Sequence, residues 1–112
     1  MKQPGRKEMT ITPSDLWRRI SRDSRLQIVD VREPDEYEIA HIHGVPQIPL
    51  GSLPRRFTEL DPNQQIYLHC KSGIRSMKAV KFLQEQGFKY VKNVKGGISA
   101  WSDEIDPGVA KY

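Results

Sequence analysis

Residues 66–87 read IYLHCKSGIRSMKAVKFLQEQG, and the order of residue types along this stretch decides the fold. Ile66–His69 is an apolar run of strand length that delivers Cys70 at its carboxyl end. Lys71-Ser72-Gly73-Ile74 follow, and Arg75-Ser76 then open the clearest helix of the chain, Arg75–Gln86. Met77, Val80 and Leu83, with Ala79 and Phe82 beside them, form its apolar face, and Gly87 stands at C′ to stop it. A strand passing through a glycine-containing loop into a helix is a building unit of an α/β fold.

Outward from this unit the alternation continues. Residues 1–9 hold Pro4, Gly5 and four charges without an apolar period, so they read as a flexible tail before one domain spanning residues 10–112. Thr12 is placed as an N-cap, with Pro13 at the first helical position and Asp15 in the first turn. Leu16, Trp17 and Ile20 give that helix its buried face, and it is expected to end near Ser24. Leu26–Val31 is a short buried strand and Pro34–Ala40 a further helical segment. Val45–Leu50 is expected as a short edge strand, because Pro46 and Pro49 cannot donate to a ladder. Arg55–Leu60 reads as a helix, Asp61-Pro62-Asn63 as a turn and Tyr90–Val94 as a strand. Gly96-Gly97 make a sharp turn before a last helix, Ile98–Glu104. Strands alternating with helices imply a parallel sheet covered on both faces, with the functional site beyond the carboxyl ends of the strands.

Composition narrows the function. The 112 residues are 37% hydrophobic, enough for one modest core. No apolar run approaches the roughly 18–20 residues of a membrane span, and no apolar signal region follows the polar start. A single cysteine cannot form an internal disulfide. The expected setting is therefore the cytoplasm, away from membranes. Eighteen basic against fourteen acidic residues give a net charge of +4, unevenly spread. Residues 70–95 carry Lys71, Arg75, Lys78, Lys81, Lys89, Lys92 and Lys95 against Glu85 alone. Residues 30–38 carry Asp30, Glu33, Asp35, Glu36 and Glu38 against Arg32. Aromatics are not interleaved with the basic residues, so nucleic acid is not the expected partner. Lys78, Lys81, Lys89 and Lys92 read as a solvated face; Lys71 and Arg75 flank the cysteine.

The loop after Cys70 has the makings of an anion cradle. Successive backbone amides of Lys71, Ser72, Gly73, Ile74 and Arg75 can converge on one point, and the helix start adds partial positive charge. A cysteine there has a depressed pKa and serves as a nucleophile without a dedicated base. Arg75 is placed either to bind an anionic substrate or to tighten the loop. His41 and His43 lack metal-ligand partners at suitable spacing and His69 reads as packed, so no metal site is expected.

The chain is similar to the rhodanese homology domain from about Ile11 to Tyr112. The resemblance rests on Asp30-Val31-Arg32-Glu33 with Glu36-Tyr37, His41-Ile42 with Gly44, Ile48-Pro49, the Cys70–Arg75 loop with Ser76, and Gly96-Gly97 with Trp101. It implies a rhodanese-like α/β fold, a central parallel sheet of about five strands flanked by helices on both faces. It also implies sulfur transfer without a metal or other cofactor: Cys70 takes sulfane sulfur from a donor such as thiosulfate or a cysteine desulfurase, holds it as a persulfide and passes it on. Lys71, Ser72, Gly73, Ile74 and Arg75 then bind substrate, while Asp30, Arg32 and Ser76 support the loop. The run from Asn93 to Trp101, continuing into Glu104-Ile105-Asp106-Pro107 and Lys111-Tyr112, looks like the C-terminal domain of E1-like adenylyltransferase/sulfurtransferases of molybdopterin and thiamine synthesis. Such a likeness implies a small ubiquitin-like sulfur carrier or an adenylyltransferase as partner.

Two other functions compete. Cell-cycle dual-specificity phosphatases resemble rhodaneses and also flank an anion loop with cysteine and arginine, but they place five residues between the two. Four stand here, which suits one sulfur atom better than a phosphoryl group and leaves small oxyanions such as arsenate open. The other is a non-catalytic binding module, against which the retained Cys70 argues. Ala40 and His43 depart from the residues frequent at their places in the family and bear on local turn geometry.

Overall fold

The computed structural model describes residues 9–23 and 26–112. Its sheet contains four strands, β1 (Thr10–Ile11), β2 (Gln27–Asp30), β3 (Ile66–His69) and β4 (Val91–Val94), in the order β1-β4-β3-β2. Every pairing is parallel, with Ile28 opposite Tyr67, Leu68 opposite Asn93 and Ile11 opposite Val94. The helices are α1 (Pro13–Ile20), α2 (Pro34–Ile39), α3 (Leu53–Arg56), α4 (Ile74–Glu85) and α5 (Gly97–Glu104).

The central strand β3 is buried along its whole length, as a parallel strand covered on both faces should be. Its side chains alternate. Ile66, Leu68 and Cys70 join Val80 and Leu83 of α4 and Leu53 of α3 in one core layer. Tyr67 joins Leu16 of α1 and Ile98 and Trp101 of α5 in the other. Thr12 caps α1 by accepting from the Asp15 N–H at 3.1 Å, with Pro13 in the first turn. Glu33 and Glu36 form a capping box at the start of α2, also led by a proline.

Several expectations change. The sheet has four strands rather than about five, because Val45–Leu50 makes only a bridge between Gln47 and Asp30. There the Asp30 N–H donates to Pro46 O and the Ile48 N–H to Asp30 O, both at 2.9 Å. Pro46 and Pro49 supply no further donors, and the chain turns away into α3. The strand β1 was not anticipated, since two residues show no period; it is held by the Lys95 N–H donating to Ile11 O at 2.8 Å. The expected tail, residues 1–9, lies outside the described residues except for Met9, which is buried in the core and accepts from the Asn93 N–H at 2.6 Å. Helix α1 stops at Ile20 with Ser21 as its cap, while Ser24, its expected end, lies outside the described residues. No helix among the described residues is long and apolar enough to cross a membrane.

Candidate active site

The carboxyl end of β3 delivers Cys70 into a tight loop, and Gly73 makes the turn possible. Its φ of 111° is a left-handed conformation that glycine adopts without a Cβ penalty, and α4 begins at the next residue. The turn brings the Gly73 N–H to 3.1 Å and the Ser76 N–H to 3.4 Å from Cys70 Sγ, with Ser76 Oγ at 3.3 Å. Burial pushes the thiol pKa up, but the Ser76 hydroxyl and the amides of Ser76, Gly73 and Ser72 outweigh it, so the net shift is downward. A buried sulfur surrounded by donors is stabilised as thiolate.

A second glycine supports the loop from beneath. Gly97, at the start of α5, has a φ of 58°, and a Cβ there would lie 2.4 Å from the Cys70 carbonyl oxygen. That close approach lets the Ile98 N–H donate to Cys70 O at 2.8 Å and the Ser99 N–H to Lys71 O at 3.2 Å. Asn93 of β4 was also missed in the sequence; its Oδ1 accepts a short hydrogen bond from Ser76 Oγ. The Ser76 hydroxyl carries one proton, so at any instant it serves either Asn93 or the cysteine sulfur.

The charged residues sit differently from their expected places. Arg75 does not turn into the loop: Nη1 and Nη2 donate to Glu36 Oε1 and Oε2 at 2.6 and 2.9 Å, a bidentate pair with α2. That pair raises the Arg75 pKa further and, against the cost of burial, holds Glu36 down to about 2. Lys71 also points away, its Nζ lying 4.5 Å from the centre of the Tyr112 ring. Ser72 and Ile74 are exposed on the outer rim, Ile74 at 70%. Asp30 and Arg32 are fully buried behind the loop. The Arg32 Nε and Nη2 donate to Asp30, Nη2 also reaches Ala40 O at 2.6 Å, and Nη1 reaches Tyr112 Oη at 2.8 Å. Ala40, a departure from the family pattern, thus takes part through its carbonyl alone. His69 is packed, with Nδ1 3.2 Å from Cys70 O, and burial pushes its pKa down.

The basic run of residues 70–95 does not form one patch. Lys78 and Lys81 share the exposed face of α4 with Ile74, whereas Lys92 lines a groove beside Arg18, Arg19 and Arg22 of the α1 region. A groove of about 1000 Å³, lined by Trp17, Ile28, Ile42, Val45, Trp101 and Ile105, includes no residue of the cysteine loop. The described residues contain no cluster of three histidine, cysteine or carboxylate side chains arranged to hold a metal ion.

The comparisons agree with this geometry. Residues 12–104 match the family described as Rhodanese-like domain. "Putative sulfur carrier protein YrkF" of Bacillus subtilis is 46% identical over 88 residues, which are 79% of this chain and 48% of that protein. The chain thus spans about half of that relative's length. A protein named Sulfurtransferase from Allochromatium vinosum is 33% identical over 89% of this chain and 94% of its own length. The Adenylyltransferase and sulfurtransferase UBA4 of Meyerozyma guilliermondii is 32% identical over 81% of this chain, but over only 23% of its own. A rhodanese-like domain protein from Staphylococcus aureus superposes with a TM-score of 0.79 at 32% identity, covering 92% of this chain and 97% of that one. The cysteine loop sits on β3 within a sheet whose sequence and backbone both match that family over most of their length, and the chain belongs to the rhodanese-like domain family.

Proposed function

We propose that the protein is a sulfurtransferase that carries sulfane sulfur as a persulfide on Cys70. The observation that carries this reading is the convergence of two amides and a hydroxyl on a buried sulfur whose pKa is depressed. With thiosulfate as donor, the thiolate attacks the outer sulfur, a new S–S bond forms, the old one breaks and sulfite leaves with its electron pair. A nucleophilic acceptor such as cyanide then takes the outer sulfur, giving thiocyanate and restoring the thiolate. In the persulfide the charge sits on the terminal sulfur, which the loop amides of residues 71–75 are available to cradle.

The position of Arg75 weighs against the phosphatase reading. A phosphoryl group needs the guanidinium inside the loop, and here it is paired with Glu36 outside it. On the acceptor side, the names of the relatives make a protein sulfur carrier or an adenylyltransferase the natural partner, docking on the exposed basic face of α4. Reversing Lys78 and Lys81 to Glu then weakens binding of an acidic carrier and removes its salt dependence; unchanged affinity sinks that docking mode.

The test of the central reading is incubation with thiosulfate and cyanide, following thiocyanate, with an intact mass taken before cyanide is added. Thiocyanate and one added sulfur mass, both lost in Cys70→Ser, are the expected results. Absence of both, also after loading by a cysteine desulfurase, leaves the binding-module reading.

A further inference from the structure

The outer edge of β2 is covered at its carboxyl end and open before it. In a parallel ladder, alternate residues turn their backbone groups to alternate sides. The Gln27 N–H donates to Gln65 O at 3.1 Å and the Val31 N–H to His69 O at 2.9 Å, so Gln27, Val29 and Val31 face β3. Ile28 and Asp30 therefore face outward. Asp30 is satisfied there by Pro46 O and the Ile48 N–H. Continuing that register back to Ile28 sets Pro46 N against Ile28 O, and proline has no N–H. The chain before Pro46 turns at His43-Gly44 and offers no carbonyl to the Ile28 N–H. Among the described residues neither backbone group of Ile28 has a partner.

The groove of about 1000 Å³ lies along this open stretch, with Ile28 in its lining. Its walls come from both core layers, Leu60 from one and Trp101 and Ile105 from the other. Two layers running past an edge strand leave room for one more strand, which pairs at about 4.8 Å. Trp17, 51% exposed, lines the groove with its ring edge-to-face against Trp101. The charge of the groove is acidic, although the protein as a whole is basic. Arg56 is taken up by Glu59 in a bidentate pair, whereas Glu104 and Asp106 make no ion pair among the described residues. Each accepts from a neutral donor instead, Glu104 from Ser14 Oγ at 3.4 Å and Asp106 from the Gly108 N–H at 3.0 Å.

We propose that this groove docks an extended, basic segment of a partner protein, which pairs with Ile28 and adds a short strand beside β2. One face of the segment packs on Leu60. The other lays lysine or arginine stems across Trp17, with their charged heads at Glu104 and Asp106. The groove includes no residue of the cysteine loop, so a partner held there leaves Cys70 open. This surface is separate from the basic face of α4 and does not depend on sulfur chemistry.

The probe is a capped hexapeptide alternating valine with lysine, followed by the fluorescence of Trp17 and Trp101, the two tryptophans of the chain. Saturable binding is expected. Amide hydrogen exchange at Ile28 should slow by roughly tenfold or more, while that at Val29, already bonded to β3, stays unchanged. Glu104→Gln combined with Asp106→Asn should weaken binding by roughly three- to tenfold. A fully N-methylated peptide should not bind. The proposal is overturned by no saturable response up to millimolar peptide, by unchanged exchange at Ile28 in the saturated complex, or by equal binding of a valine–glutamate peptide. Equal binding of the N-methylated peptide also overturns it, giving the groove to an apolar ligand that does not pair with β2. Self-association that the peptide competes away in sedimentation velocity gives the groove to a second copy, with the same consequence. Slower alkylation of Cys70 by iodoacetamide in the complex places the peptide on the cysteine loop and refutes the docking site.

Discussion

The carboxyl ends of β2 and β3 lie side by side, with Asp30 opposite His69 in the sheet, yet they meet opposite electrostatic conditions. At the end of β2, Asp30 and Arg32 are completely buried and bonded to each other through side chains. At the end of β3, Cys70 is also buried, but backbone amides and one hydroxyl surround it, and the Arg75 guanidinium is turned to Glu36. An ion pair closed on itself has no capacity left for a substrate. Amide donors are fixed in place and carry no counter-charge to be displaced, so they can stabilise an anionic sulfur. The difference is the reason the β3 junction is the one proposed for chemistry and the β2 junction its framework.

Breaking the framework side should have the largest effect. Arg32→Leu leaves Asp30 charged and buried without its partner, and should cost about 3–5 kcal/mol of stability in urea denaturation. A loss below about 1 kcal/mol would mean that water or another group replaces the guanidinium. Next comes Gly97→Ala, which forces a left-handed backbone on alanine and drives its Cβ into the Cys70 carbonyl. A destabilisation on the order of 1–3 kcal/mol is expected, with slower alkylation of Cys70 because the loop above it must shift.

On the chemical side, Ser76→Ala removes one of the donors to the sulfur and leaves the Asn93 amide oxygen without its hydroxyl partner. Stability should fall by roughly 1 kcal/mol, and the pH profile of Cys70 alkylation by iodoacetamide should move upward. An unmoved profile would assign thiolate stabilisation to the amides alone.

The smallest effect concerns Glu36, which links the two sides. Its folded pKa of about 2 lies below its ordinary value of 4.5. The folded state therefore binds its proton less readily than the unfolded chain. Stability from this group is fully present above pH 4.5 and is lost as the pH falls towards 2. Glu36→Gln should flatten the acid unfolding curve in that window and leave the curve above it parallel to wild type. The buried His69, pushed down from its ordinary 6.5, acts at higher pH: its contribution is present above that value and declines below it. A wild-type curve with no loss between these windows would deny His69 that part.

Some of this was legible in the chain because the signals are local. The strand–loop–helix unit at Ile66–Glu85 shows in its period, and Pro13, Pro34, Gly73 and Gly87 mark starts and stops through their own backbone restrictions. Met9 to Ile11 gave no signal, because two residues of strand have no period. Nor could the prolines of Val45–Leu50 say whether an edge strand survives their missing donors. The site divides in the same way. Cys70, Gly73 and Ser76 stand within one turn of each other, whereas Glu36 meets Arg75 across 39 residues and Tyr112 meets Glu36 across 76.

The sequence by itself therefore determined an α/β alternation, a cysteine at the end of a buried strand and an amide-rich loop at a helix start, since each depends on neighbours along the chain. Only the tertiary structure decided where the charges go. The orientation of a long cationic side chain is set by whichever acid or ring the fold brings near: Glu36 takes Arg75 out of the loop, Tyr112 takes Lys71, and Asp30 takes Arg32 into the core.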